Sequence, residues 1–316
     1  MTPLQVVIAE KILEKYQDED FYKVMVLTNL SSKYLLYKER FFKKNKYNLT
    51  ILSNSTNKIS ILINWLAIRL KFLFLPNFDK VFFANVNSPE IQLMLSSIKF
   101  KELYTFDDGT ANLVESSPLY KESTTGKLGN IFLNLLNNNY SSRKIRKESK
   151  RHFSIYKNRN NILSSEYIEY ITLFKIDNYN SNCFNAKRNI SIFLGQPIYE
   201  LLIDISECKK NDKNIYFSKL AIKNFRIDFY YPHPREKYRI DNVEYIVSDL
   251  VFEDYLLSIL EYDTNYTIYT FFSSAVLPFT NLSNVKIISL KPKDYPDYLH
   301  DNYQLMRDFG IDVIEI

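Results

Sequence analysis

The chain has 316 residues, 46% hydrophobic and 24% charged, enough apolar material for two cored domains and too much for a disordered protein. Five glycines and ten prolines exclude fibrous and low-complexity architectures. Two cysteines (Cys183, Cys208) allow at most one disulfide, three histidines (His152, His233, His300) fall in no metal-binding spacing, and a net charge of +5 is too mild to imply nucleic acid.

Thr2-Pro3-Leu4-Gln5 reads as a helix start: Thr2 caps, Pro3 suits the first helical position and Gln5 completes a capping box. Leu4, Ile8 and Ile12, with Val7 beside them, continue one apolar stripe to Tyr16. This opening lacks the basic start and apolar core of a signal peptide, so a cytoplasmic chain is expected. Strands over 23–28, 49–52, 81–85 and 102–106 then alternate with helices over 34–42, 59–75 and 89–98, the pattern of a parallel sheet covered on both faces. Asn64, Arg69 and Lys71 interrupt the apolar stretch 61–75, which is shorter than the ~20 residues a spanning helix needs. It is expected to be buried or to lie at a membrane surface.

The rhythm breaks over 137–188, with an Asn run, a basic cluster at 143–151 and an Asn-rich stretch at 178–185. The first domain therefore spans 1–180 and the second 181–316. Alternation resumes with strands at 189–194, 226–231, 244–247 and 267–272, a helix at 252–261, strands at 285–290 and 312–316, and a helix at 299–308. The expected architecture is α/β, two Rossmann-like doubly wound domains facing a central cleft, with ligands outside the carboxyl ends of the strands.

Unusual residues stand at those strand ends. Asp107-Asp108-Gly109 follows one strand; adjacent carboxylates point in opposite directions, so one can act as a general base while the other ties down its loop. An Asx turn with a following glycine is the alternative. His233, stiffened by Pro232 and Pro234, suits proton transfer or charge stabilisation near neutral pH, or is simply a loop histidine. Ser273-Ser274 opens a strand-to-helix turn, either an anion site or an ordinary serine cap. Gly195-Gln196 ends a further strand, and Glu253 starts a helix, as a partner for ribose hydroxyls or for the helix dipole. His152 and His300 read as structural.

In this order, Asp-Asp-Gly, His-Pro and Ser-Ser resemble the motif series of bacterial sialyltransferases with the GT-B fold. The opening Thr2-Pro3-Leu4-Gln5-Val6-Val7-Ile8-Ala9-Glu10-Lys11-Ile12 resembles glycosyltransferase family 52, the lipooligosaccharide and capsule sialyltransferases, and the similarity runs through most of the chain, including Phe193-Leu194-Gly195-Gln196-Pro197. The resemblance implies an inverting transfer of sialic acid from CMP-sialic acid to a hydroxyl of a galactose-terminated glycan, with no metal or other cofactor. Carried over by position, Asp107 is the base and His233 the acid on the departing phosphate. Ser273 and Ser274 hold that phosphate; Gly195, Gln196, Pro234 and Glu253 contact the donor; Asp108 and Gly109 shape the base's loop. One departure stands out: the resembled proteins have a short strand before the Thr-Pro-Leu-Gln loop, where this chain has Met1. Basic cluster 143–151 and helix 61–75 have bland readings as a solvated face and a packed helix. The resemblance adds a second, peripheral contact with the inner face of the cell membrane. A homodimer is compatible with the same reading, and nucleic acid is not an expected partner.

Overall fold

The structure, a computed structural model, describes residues 2–28, 30–115, 117–122, 125–157, 160–173, 188–202, 205–295 and 301–316. Two compact units emerge, Met1–Leu173 and Phe174–Ile316; the boundary expected at residue 180, like Cys183 and His300, lies outside the described residues.

The first unit opens with α1 (Pro3–Lys15). Its start is built as its residues dictate: Thr2 Oγ1 accepts from the Gln5 N–H, and the Gln5 side chain accepts from the Thr2 N–H. There follow β1 (Tyr22–Leu27), α2 (Ser32–Phe42), β2 (Tyr47–Leu52), α3 (Lys58–Leu73), β3 (Phe78–Phe83), α4 (Pro89–Ser97), β4 (Phe100–Phe106), α5 (Gly126–Leu135), α6 (Ser142–Glu148), β5 (Ser149–Ser154) and β6 (Ile168–Tyr170). All pairings are parallel, but the expected single sheet is divided: β1 pairs with β2, and a separate sheet runs β3-β4-β5-β6. No described strand joins β1 to β3; both line one cavity of about 1260 Å³, roofed by residues of α1 and α4.

The stretch read as a break in rhythm contains β5, registered beside β4. Its inward positions are Ser149, His152, Phe153 and Ser154, while Lys150 and Arg151 point out, so charge hides a half-buried strand. Nor is the basic cluster one open patch. Lys144 lies 4.3 Å from the centre of the Tyr140 ring, Arg146 donates to the Leu119 carbonyl and Lys150 pairs with Glu102.

The second unit comprises β7 (Arg188–Leu194), α7 (Glu207–Phe225), β8 (Phe229–Tyr231), β9 (Glu244–Tyr245), α8 (Phe252–Ile259), β10 (Thr264–Thr270), β11 (Val285–Lys291), α9 (Asp301–Asp308) and β12 (Asp312–Glu315). Its parallel strands stand in the order β12-β11-β10-β7-β8-β9. The chain winds outward from β7 in one direction, then from β10 in the other, so the winding reverses between these neighbours, the place where doubly wound sheets take ligands. Phe193, Tyr230, Phe271, Leu290 and Tyr303 are buried in its core. Helix α7 was not expected. Its lysines and asparagines mask an inner face of Asn214, Phe217, Ser218, Ala221 and Ile222, spaced by three and four residues.

Candidate active site

Strand β4 delivers Asp107 and Asp108 at its carboxyl end, and the structure separates their circumstances. Asp107 is fully buried, with both carboxylate oxygens engaged. Oδ1 lies 2.9 Å from His152 Nε2 and accepts from Asn161 Nδ2 at 3.0 Å; Oδ2 accepts from Ser154 Oγ and from the Ile155 N–H, both at 2.8 Å. His152 Nδ1 in turn lies 2.9 Å from Thr105 Oγ1. Four hydrogen-bond partners around a carboxylate with no exposed surface tie β4 to β5.

Asp108 is half-buried and reaches the cavity between β1 and β3. Its carboxylate accepts from Gln5 Nε2 and, at 2.8 Å, from Asn85 Nδ2, while its backbone N–H donates to Asn112 Oδ1 at 2.6 Å. Burial pushes its carboxyl up to about 6, against the downward pull of the Gln5 and Asn85 bonds. Gly109 follows at φ 83°, a backbone conformation that favours glycine. The two neighbours thus differ in setting: Asp107 is buried and bonded through both oxygens, whereas Asp108 faces the cavity between β1 and β3.

In the second unit the motif loops converge. Strands β8, β7 and β10 are adjacent and parallel, so their carboxyl ends put Pro232-His233-Pro234, Gly195-Gln196 and Ser273-Ser274 along one edge. Gln196 Oε1 accepts from the Phe272 N–H at 3.1 Å, bridging the loops after β7 and β10 at the point where the winding reverses. A Cβ on Gly195 would collide with the Glu236 carboxyl and the Tyr230 hydroxyl, so glycine is required there. Ser273 caps the short helix Ser274–Phe279, its Oγ accepting from the Ala275 N–H at 3.4 Å, while Ser274 stays half-exposed beside it. Glu253 is buried in the first turn of α8 rather than standing on a solvated face, and Pro234 is exposed.

His233 is half-buried and its orientation is fixed by backbone bonds. Its N–H donates to Glu236 Oε1 at 3.0 Å, and its Nδ1 accepts from the Arg235 N–H at 3.1 Å. An accepting Nδ1 places the proton of the neutral ring on Nε2. Glu236 also accepts from the Tyr230 hydroxyl at 2.9 Å, and burial pushes its carboxyl up to about 7. Neither Glu236 nor the supporting Asn85 and Asn161 could be found by motif, and the capping box that names Gln5 does not disclose its bond to Asp108: each acts through a fold-made contact with a residue the motifs name. Among the described residues, no group of three or more His, Cys, Asp or Glu side chains is arranged to hold a metal ion.

A family model described as Glycosyltransferase family 52 matches residues 18–294. The chain is 35% identical over 316 residues, covering 100% of this chain and 97% of the other, to the CMP-N-acetylneuraminate:beta-galactoside alpha-2,3-sialyltransferase of Pasteurella multocida strain Pm70. It is 35% identical over 286 residues to an N-acetyllactosaminide alpha-2,3-sialyltransferase of Haemophilus influenzae, covering 90% and 88% of the two chains. A Neisseria meningitidis protein of that same name is 29% identical over 323 positions, covering 99% and 83%. The family match takes in all three strand-end motifs, from Asp107 to Ser274, and the chain belongs to glycosyltransferase family 52.

Proposed function

We propose that this protein is a sialyltransferase that moves sialic acid from CMP-sialic acid to a hydroxyl of a terminal galactose, by a single inverting displacement and without a metal. The observation that carries the reading is 35% identity to a CMP-N-acetylneuraminate:beta-galactoside alpha-2,3-sialyltransferase along the full length of both chains. The GT-B arrangement and a lipooligosaccharide or capsule acceptor belong to the same proposal.

The residues fit the chemistry. As the bond from sialic acid C2 to the phosphate oxygen breaks, the sugar takes on oxocarbenium character and its electron pair passes to CMP. Asp108 accepts the proton of the attacking hydroxyl; a carboxyl titrating at about 6 is ionised near neutral pH yet basic enough to take that proton. His233 offers Nε2–H to the departing phosphate. Ser274 and the backbone N–H groups at the start of the short helix Ser274–Phe279 supply further donors to it, beside the loop braced by Gln196. Glu253, buried at the head of α8, is the carboxylate assigned to the nucleotide's ribose.

Titration with CMP, UDP and GDP tests the donor assignment: saturation about a hundredfold above Kd is worth about 2.7 kcal/mol, so CMP alone should raise the Tm by several degrees. Mass spectrometry after incubation with CMP-sialic acid and a labelled lactoside should then show a sialylated product, with the yield unchanged by EDTA. Stabilisation by UDP in place of CMP would transfer the reading to another nucleotide sugar. CMP binding without product on any galactose-terminated acceptor would reduce the protein to a nucleotide-binding one.

A further inference from the structure

Two cavities of the first unit share part of their lining. The larger, of about 1260 Å³, is the one that Asp108 and Asn85 reach, and it also takes in Ser53 and Glu90. A second, of about 360 Å³, is lined by the same Ser53 and Glu90 together with Ser55, Ser60 and Asn64. Its volume falls within the roughly 300–1,000 Å³ of small-molecule sites.

Local sequence sets the shared wall. Ser53 extends the β1–β2 pairing by one residue, its N–H donating to the Leu27 carbonyl at 2.8 Å. Ser88 caps α4, accepting from the Ile91 N–H at 3.3 Å, and Glu90 stands in the first turn, where a carboxylate complements the helix dipole. That position alone does not fix where the carboxylate points. Glu90 Oε1 accepts from Ser53 Oγ at 2.7 Å and from Trp65 Nε1 at 3.4 Å, and Oε2 accepts from Ser88 Oγ at 2.8 Å. These three bonds hold the group between the end of β2 and the start of α4, on the lining of both cavities. An ionised carboxylate has about four acceptor positions, so Oε2 retains one for an incoming hydroxyl.

The lining selects the ligand. Among the described residues, the smaller cavity carries one carboxylate and no lysine, arginine or histidine. A phosphate, a nucleotide or the carboxylate of sialic acid would meet a like charge there with nothing to offset it. Three serine hydroxyls and the Asn64 amide, whose Nδ2 donates to the Leu52 carbonyl at 3.2 Å, supply short neutral partners. Ile61, Ile63 and Ala67 add apolar surface. A neutral sugar ring presents hydroxyls at its rim and C–H groups on its faces, and matches both.

We propose that this cavity is a subsite for the neutral sugar that follows the terminal galactose of the acceptor, with Glu90 receiving that sugar's hydroxyls and Ser53 positioning Glu90. The galactose itself lies on the Asp108 side of the shared wall. The role of the sugar as acceptor rests on the transferase reading; the affinity of the cavity for a neutral sugar does not.

Kinetics of the full chain with methyl β-galactoside and with a lactoside test it, because only the second has a sugar beyond the galactose. Glu90→Gln keeps the side chain's shape, and the Ser88 hydroxyl can turn to accept from the new amide. This variant should raise KM for the lactoside about tenfold more than KM for methyl β-galactoside, the usual loss for one hydrogen bond to a charged group, with kcat for the lactoside changed less than KM. Ala67→Phe, at an exposed position of α3, should fill the cavity and shift the same ratio while circular dichroism stays that of the parent. Saturation-transfer NMR with lactose needs neither donor nor product: lactose signals should appear with the parent chain and fade in both variants. Failure to sialylate any acceptor would therefore count against the transferase reading and leave this second readout standing. Equal losses on the two acceptors, no lactose signal with the parent, or a signal unchanged in both variants would overturn the subsite.

Discussion

Asp108→Asn should lower turnover by roughly 10²–10⁴-fold with the fold intact, the usual range for a lost general base. Asp107→Asn should do the reverse. An amide there turns its NH₂ either toward His152 and Asn161 or toward Ser154 and the Ile155 N–H, so a buried donor faces donors in both orientations. Each unsatisfied buried group costs about 1–3 kcal/mol, and two or more predict a Tm lower by on the order of 10 °C in a domain of this size. The surviving folded enzyme should keep its turnover within about tenfold, because a residue that acts by holding the loop is not consumed in the chemical step. Thermal melts and initial rates on both variants separate the assignments: a stable but inactive Asp107→Asn, beside an active Asp108→Asn, would restore the base to residue 107.

The same site carries a pH signature. Folding raises the Asp108 carboxyl from an ordinary value of 3.8 to about 6, so the activity that needs its ionised form should fall as pH drops through about 6. Gln5 donates to that ionised form, so Gln5→Leu should move this acidic limb of kcat/KM to higher pH. Stability responds with the opposite sign. A carboxyl whose folded value lies above its unfolded one binds its proton more tightly when folded, so its contribution favours the native state as pH falls from about 6 toward 4. An acidic limb that stays in place in Gln5→Leu would remove Asp108 from the rate-determining ionisation.

What the sequence disclosed and what it hid divide along a physical line. Features made by neighbours in the chain were legible: the Thr2–Gln5 capping box, the alternation of strands and helices, and loops with chemistry at the carboxyl ends of strands. That Gly195-Gln196 and Ser273-Ser274 stand side by side where the winding reverses, joined by the Gln196–Phe272 bond, came from the strand order and not from the sequence. Features that depend on an opposing surface were not. The pleat says that Asp107 and Asp108 point apart, but only the placement of β5 decides which is buried, and Lys150 and Arg151 disguised β5. Helix α7 hid behind its lysines for the same reason. The division of the first unit into two sheets was equally invisible, because hydrophobic alternation marks strands without naming their partners.

His233→Ala should also lower transfer by roughly 10²–10⁴-fold, and the way it fails should differ from Asp108→Asn. The base serves the acceptor, so Asp108→Asn should spare the slow hydrolysis of CMP-sialic acid when no acceptor is present. The acid serves the departing phosphate, which leaves in both reactions, so His233→Ala should depress hydrolysis and transfer together while CMP still raises the Tm. Glu236 refines the assignment. It receives the His233 N–H through Oε1, but it touches the backbone of that residue rather than its ring, which makes it a positioning residue. Glu236→Gln keeps an acceptor of the same shape and should retain most activity. Glu236→Ala releases the His233 N–H and the Tyr230 hydroxyl and opens space beside Gly195, so it should lower kcat in both reactions with little change in CMP affinity. Hydrolysis at the parent rate in His233→Ala would place the imidazole on the acceptor's side of the reaction and leave the phosphate to the donors at the Ser273-Ser274 turn.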